Sequence, residues 1–156
     1  MKKTDRISEF VKDLAPGATS EFDRCYLGYF ACFNRGEYYE AHDVLEHLWL
    51  KSRDEHHRFF KGLIQIAGAF VHLQKQYRRP DHPTDGRRLY PAVRLFALGM
   101  ENLAPYRPRY LRLDLDNLFR LCERQTQAIL ASDYSRNPWC PEAAPRLELD
   151  ELQGRP

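Results

Sequence analysis

His42 and Glu46 stand four residues apart in the run Tyr38-Tyr39-Glu40-Ala41-His42-Asp43-Val44-Leu45-Glu46-His47-Leu48-Trp49. On a helix that spacing brings an imidazole and a carboxylate within reach of each other. With His42 at the origin and about 100° per residue, Tyr38, Tyr39, Leu45, Glu46 and Trp49 fall within about 60° of it. Glu40, Asp43, His47 and Lys51 lie about 100–180° away and supply a solvated face. The wheel therefore puts His42 and Glu46 among aromatic and aliphatic neighbours. Such a pair is either a polar lock in a core or part of a site. In a site, the imidazole acts as acid or base and the carboxylate orients it. With a second imidazole, the set suits a divalent metal such as zinc or iron, with coordination positions left open.

The second imidazole comes from a helix expected over about 54–76. Phe59, Leu63, Ile66, Phe70 and Leu73 form one apolar face, and Phe60, Ile64, Ala67 and Val71 widen it. A helix this apolar around most of its circumference is central and largely buried. Only a narrow stripe is left, with Gly62, Gln65, Gly68, Ala69 and His72 along it. Glycine costs about 1 kcal/mol in a helix interior, so the stripe makes sense where a backbone or a ligand must come close. The pattern predicts that the helix of about 37–51 lies on this stripe. One polar pocket would then gather His42, Glu46, Gln65 and His72, walled by Tyr39, Trp49 and the glycines. Buried without partners, each polar group would cost about 1–3 kcal/mol; facing one another, they satisfy one another. The metal version of the pocket uses His42, Glu46 and His72. Neither a His-Glu-x-x-His motif nor the paired Glu-x-x-His motifs of di-iron bundles is present.

The positioning elements read as helices throughout. Residues 5–14 make a short helix, and Pro16-Gly17 ends it. Ser20 is an N-cap with Asp23 three residues on, and the helix behind it runs from Glu21 to about Phe33. Gly36 supplies a left-handed turn. Ser52-Arg53-Asp54-Glu55 is a capping box for the helix of 54–76. A further helix lies within 85–104, where Pro91 sits at its first position or kinks it. The last spans about 114–131, with Leu115, Leu118, Phe119, Cys122, Thr126 and Ile129 inward. Short connections imply antiparallel neighbours, and no segment alternates as a strand would. The fold class is all-α: a compact single-domain bundle of five or six helices, with the helices of 37–51 and 54–76 central. Residues 1–18 form a short helix and linker, 19–136 the bundle, and 137–156 an irregular C-terminal tail.

The 156 residues are 43% apolar and 29% charged with a formal charge of +2, so no global charge draws the chain to nucleic acid or a lipid surface. Residues 78–112 hold eight Arg against three acids, interleaved with tyrosines. That segment either binds phosphate or nucleic acid or lays Arg stems over apolar surface; no helix-turn-helix supports DNA reading. His56-His57, at an exposed helix start, reads as solvated. Cys25 and Cys32 lie two turns apart, roughly 10 Å, too far for a disulfide. With no apolar leader and no membrane-length apolar run, the expectation is a cytoplasmic protein with reduced thiols.

Two stretches resemble a known family. Phe33-Asn34-Arg35-Gly36-Glu37-Tyr38-Tyr39-Glu40-Ala41-His42-Asp43-Val44-Leu45-Glu46-His47-Leu48-Trp49 and Gly62-Leu63-Ile64-Gln65-Ile66-Ala67, followed by His72, are similar to the small prokaryotic family called domain of unknown function 309. The likeness covers about 29–104. It implies an all-helical fold and a recurring set of His42, Glu46, Trp49, Gln65 and His72 with Gly36 and Gly62. It implies no activity. Three functional readings follow: a pocket for a small-molecule ligand or divalent metal, a structural or interaction module with a polar core lock, and a phosphate or nucleic-acid binder using residues 78–112.

Overall fold

The Ser20 hydroxyl accepts the Asp23 N–H at 3.0 Å and opens a helix over Glu21–Asn34, as the sequence predicts. The computed structural model describes residues 2–14 and 20–151. In chain order its helices are α1 (Lys3–Leu14), α2 (Glu21–Asn34), α3 (Tyr38–Lys51), α4 (His57–Arg78), α5 (Leu89–Leu103) and α6 (Leu115–Ala131). Two 3-10 turns, at Ala104–Tyr106 and Pro141–Ala143, and a two-residue hairpin pairing Arg109–Tyr110 with Leu113–Asp114 complete the described secondary structure. Pro16 and Gly17 fall outside the described residues.

Side-chain pairs set the helix directions. Glu21 of α2 meets His47 and Lys51 of α3, and Phe33 meets Tyr38, so α2 and α3 are antiparallel. Trp49 of α3 stacks on His57 of α4 while Tyr38 stacks on Phe70, giving the same relation between α3 and α4. The core runs through α4, whose Phe59, Phe60, Leu63, Ile66, Phe70 and Leu73 have no exposed surface. α4 is the central helix that its nearly all-round apolar sequence predicts. The Tyr29 hydroxyl of α2, fully buried, donates to the Leu63 carbonyl at 2.7 Å.

Gly36 takes φ +74° and turns the chain from α2 into α3, the conformation glycine adopts without a Cβ penalty. Pro91 lies at the third position of α5, inside the first turn, where a missing N–H breaks no helical bond. Ser52 corrects its expected role. Its hydroxyl donates to the Leu48 carbonyl at the end of α3. Asp54 Oδ1 accepts the His56 N–H, and α4 begins only at His57. Apart from the 3-10 turn at Pro141–Ala143, residues 137–151 stay irregular, but they bury Trp139 and Leu147 to 4% and 2% exposure, so this segment contributes to the core.

Candidate functional site

α3 is turned about its axis relative to the expectation. It buries Tyr38, Ala41, Val44, Leu45, His47 and Leu48, a face whose centre lies about 110° from His42 at 100° per residue. Tyr39 is 58% exposed, and Trp49 is half-buried. The wheel treated these two rings as markers of the core face, but Tyr39 lies about 170° and Trp49 about 90° from its centre. His42 and Glu46 therefore lie off the apolar face, about 110° and 150° from its centre, with each side chain 31% exposed.

Away from that face His42, Asp43 and Glu46 converge, with one ligand-type atom from each lying within 4.8 Å of the others. His42 Nδ1 is 3.2 Å from Asp43 Oδ1. Lys3 reaches over from α1, its Nζ 3.3 Å from Glu46 Oε1 and 3.7 Å from Asp43 Oδ1. Asp43, foremost among the causes, raises the Lys3 pKa above its ordinary value. Asp43 thus belongs to the site rather than to a solvated face. Its signal was its spacing, three residues before Glu46 and next to His42. Beside the cluster, α1 and α3 enclose a groove of about 530 Å³ whose walls include Lys3, Arg6, Phe10, Tyr39 and Asp43.

The other two predicted residues are elsewhere. The small-residue stripe of α4 faces α5, not α3. A Cβ on Gly62 would lie 2.6 Å from Leu103 Cγ and 3.0 Å from the Gly99 carbonyl; one on Gly99 would lie 2.6 Å from Ile66 Cδ1 and 3.0 Å from the Gly62 carbonyl. Gln65, on the same stripe, accepts from Asn102 Nδ2 at 2.7 Å. His72 accepts from Arg88 Nη1 at 3.1 Å, and Arg88 is held in turn by Asp85. The expected pocket of His42, Glu46, Gln65 and His72 is therefore divided into three polar clusters, and His72 leaves the metal set.

Arg88 always donates, so His72 Nδ1 must be an acceptor and the imidazole neutral. Burial first, then Arg88, lowers the His72 pKa. The unfolded chain therefore takes up this proton before the folded one does, and stability falls as pH drops below the ordinary histidine value of about 6.5. In thermal melts between about pH 7 and 5, His72→Asn is expected to flatten part of the acid-side decline in midpoint; an unchanged slope would contradict this.

Other histidines also depart from expectation. His47, predicted to be solvated, is 7% exposed, because α2 covers that side of α3 and offers the Glu21 carboxylate at 3.1 Å. Lys51 also binds Glu21, and this hydrogen bond leads in lowering the carboxyl pKa. His56 lies 2.7 Å from the Tyr110 hydroxyl, and His57 donates to the Ser52 carbonyl at 2.6 Å. Neither is the solvated residue that a bare helix start implies. In the Arg-rich segment, five of the eight are held internally: Arg79 and Arg88 by Asp85, Arg107 by Asp116, Arg109 by Asp114 and Asp150, and Arg112 by the Asp150 carbonyl. All four cysteines are free, and burial pushes Cys25 up to about 11 and Cys32 up to about 12. No described helix is long and apolar enough to cross a membrane.

Residues 26–80 match the family described as Domain of unknown function (DUF309). The match spans α3 and α4 and ends before α5, so it contains His42, Asp43, Glu46, Gln65 and His72. It supports the resemblance drawn from the motifs, and its description carries no activity to this chain. No curated protein and no solved structure matches the chain.

Proposed function

We propose that the chain is a divalent-cation-binding helical protein, with the ion held on α3 by His42, Asp43 and Glu46. The observation behind this reading is the convergence of one imidazole and two carboxylates within 4.8 Å, half-buried beside an open groove. In tetrahedral coordination two ligands at about 2.0–2.2 Å from a shared zinc lie about 3.3–3.6 Å apart. The most widely spaced of the three atoms, now within 4.8 Å of one another, therefore need to close by up to about 1.5 Å. An imidazole with two carboxylates suits zinc or manganese and leaves coordination positions open to water or a ligand in the groove. The Lys3 ammonium already lies against both carboxylates. It is a cation that a metal would have to displace.

Calorimetric titration with Zn2+ and Mn2+ tests this. One site is expected, weakened about 100-fold in His42→Ala, since even outer-shell partners of a metal contribute 10–100-fold. An exposed ion pair is worth about 1 kcal/mol or less, so Lys3→Ala is expected to tighten binding by up to about fivefold. No saturable heat, or the same affinity in His42→Ala, would remove the reading.

A further inference from the structure

A second cavity, of about 290 Å³, lies where the ends of α2 and α4 meet the C-terminal segment. It shares no lining residue with the groove beside α3. Its charged lining residues are Arg35 and Arg78, with no carboxylate among them. Arginines at helix ends ordinarily answer the partial negative charge of the last carbonyls. Several of those carbonyls have other donors here. The Cys32 carbonyl accepts the Arg35 and Glu37 N–H groups, and that of Phe33 accepts the Gly36 N–H. The Gly36 carbonyl takes Gln74 Nε2 at 2.8 Å, that of Leu73 takes Asn137 Nδ2, and that of Lys75 takes the Arg79 N–H. Arg35 meets Glu37 through Nε at 3.1 Å, and among the described residues its terminal nitrogens have no other hydrogen-bond or ion-pair partner. Among the described residues, no hydrogen bond or ion pair engages the Arg78 guanidinium.

The aromatic wall is held in place as well. Trp139 donates its Nε1 proton to the Tyr38 hydroxyl at 3.0 Å and meets Tyr77 edge-on at 5.4 Å. Tyr77 remains 44% exposed. A guanidinium binds phosphate or carboxylate through paired donors, and an exposed tyrosine ring offers a face for a flat partner. The volume lies just below the usual ligand range of about 300–1,000 Å³, which suits one nucleotide rather than a strand.

We propose that this cavity binds a small organic anion carried on a flat ring, of mononucleotide size, with the anionic group between Arg35 and Arg78 and the ring against Tyr77. Trp139 reports on it directly. The chain has two tryptophans, so Trp49→Phe leaves Trp139 as the only one. In that variant, adenosine 5′-monophosphate is expected to change the emission saturably. Added salt should weaken binding, and Arg35→Ala or Arg78→Ala should weaken it at least about tenfold, the effect of losing one charge-assisted contact. Arg78→Lys keeps the charge without the fork and is expected to fall between. Far-UV circular dichroism checks that each variant folds. Adenosine and inorganic phosphate should each bind more weakly than the monophosphate. The proposal is overturned if the monophosphate gives no saturable change or Arg78→Ala binds it equally. It is equally overturned if adenosine or phosphate alone binds as tightly.

Discussion

Trp139→Ala is expected to lower the stability of the folded chain by about 4 kcal/mol. Trp139 lies in a segment whose one regular element is the 3-10 turn Pro141–Ala143, yet it is 4% exposed. Truncating it removes a large apolar surface and leaves a cavity, typically about 3–5 kcal/mol for an aromatic-to-alanine change. It also leaves the fully buried Tyr38 hydroxyl without its Trp139 donor, a loss worth about 1–3 kcal/mol when nothing replaces it. Trp139→Phe keeps most of the packing and should cost about half as much or less. Denaturant unfolding of both variants measures the difference. A loss under about 1 kcal/mol for Trp139→Ala would mean that the segment 137–151 detaches without consequence for the bundle.

Gly62→Val is expected to cost about 3 kcal/mol, which at this chain length lowers the melting midpoint by about 6–12 °C. The α4–α5 contact is built on reciprocal glycines, each facing the other's carbonyl across a gap that a Cβ would close to 3.0 Å. A β-branched side chain forces the helices apart and loosens the packing of Leu103 and Ile66 against them. Gly62→Ala should cost less, because alanine regains about 1 kcal/mol of helix propensity against the same clash. Unfolding measured by circular dichroism orders the three proteins. Equal midpoints would show that α5 slides aside without strain.

These two expectations mark what was legible in the chain and what was not. Capping and periodicity placed α2 and α6 closely, because Ser20 and the inward run Leu115, Leu118, Phe119, Cys122 are local signals. The glycine stripe correctly announced a close approach, but α3 and α5 both flank α4, and a stripe without side chains does not say which of them it meets. Gly99, with Leu95 and Leu103 one turn to either side, was the matching half of that contact and pointed to α5. The site misread has a different physical origin. Tyr39 and Trp49 are amphipathic and tolerate partial or full exposure, so they are poor guides to a core face, whereas Ala41, Val44, Leu45 and Leu48 were better ones. That shift of the wheel brings Asp43 into the cluster and sends His47 inward to Glu21. Lys3 was illegible for another reason: it is 43 residues from Glu46 in sequence. Only the docking of α1 brings the two together.

The central claim is that α3 holds a cation at His42, Asp43 and Glu46. Anomalous diffraction from crystals grown with zinc tests it most directly. The account predicts a peak about 2.0–2.2 Å from a His42 ring nitrogen and from carboxylate oxygens of Asp43 and Glu46, with the Lys3 ammonium moved away from both. A peak on other histidines, with Lys3 still paired to Glu46 and Asp43, would contradict it.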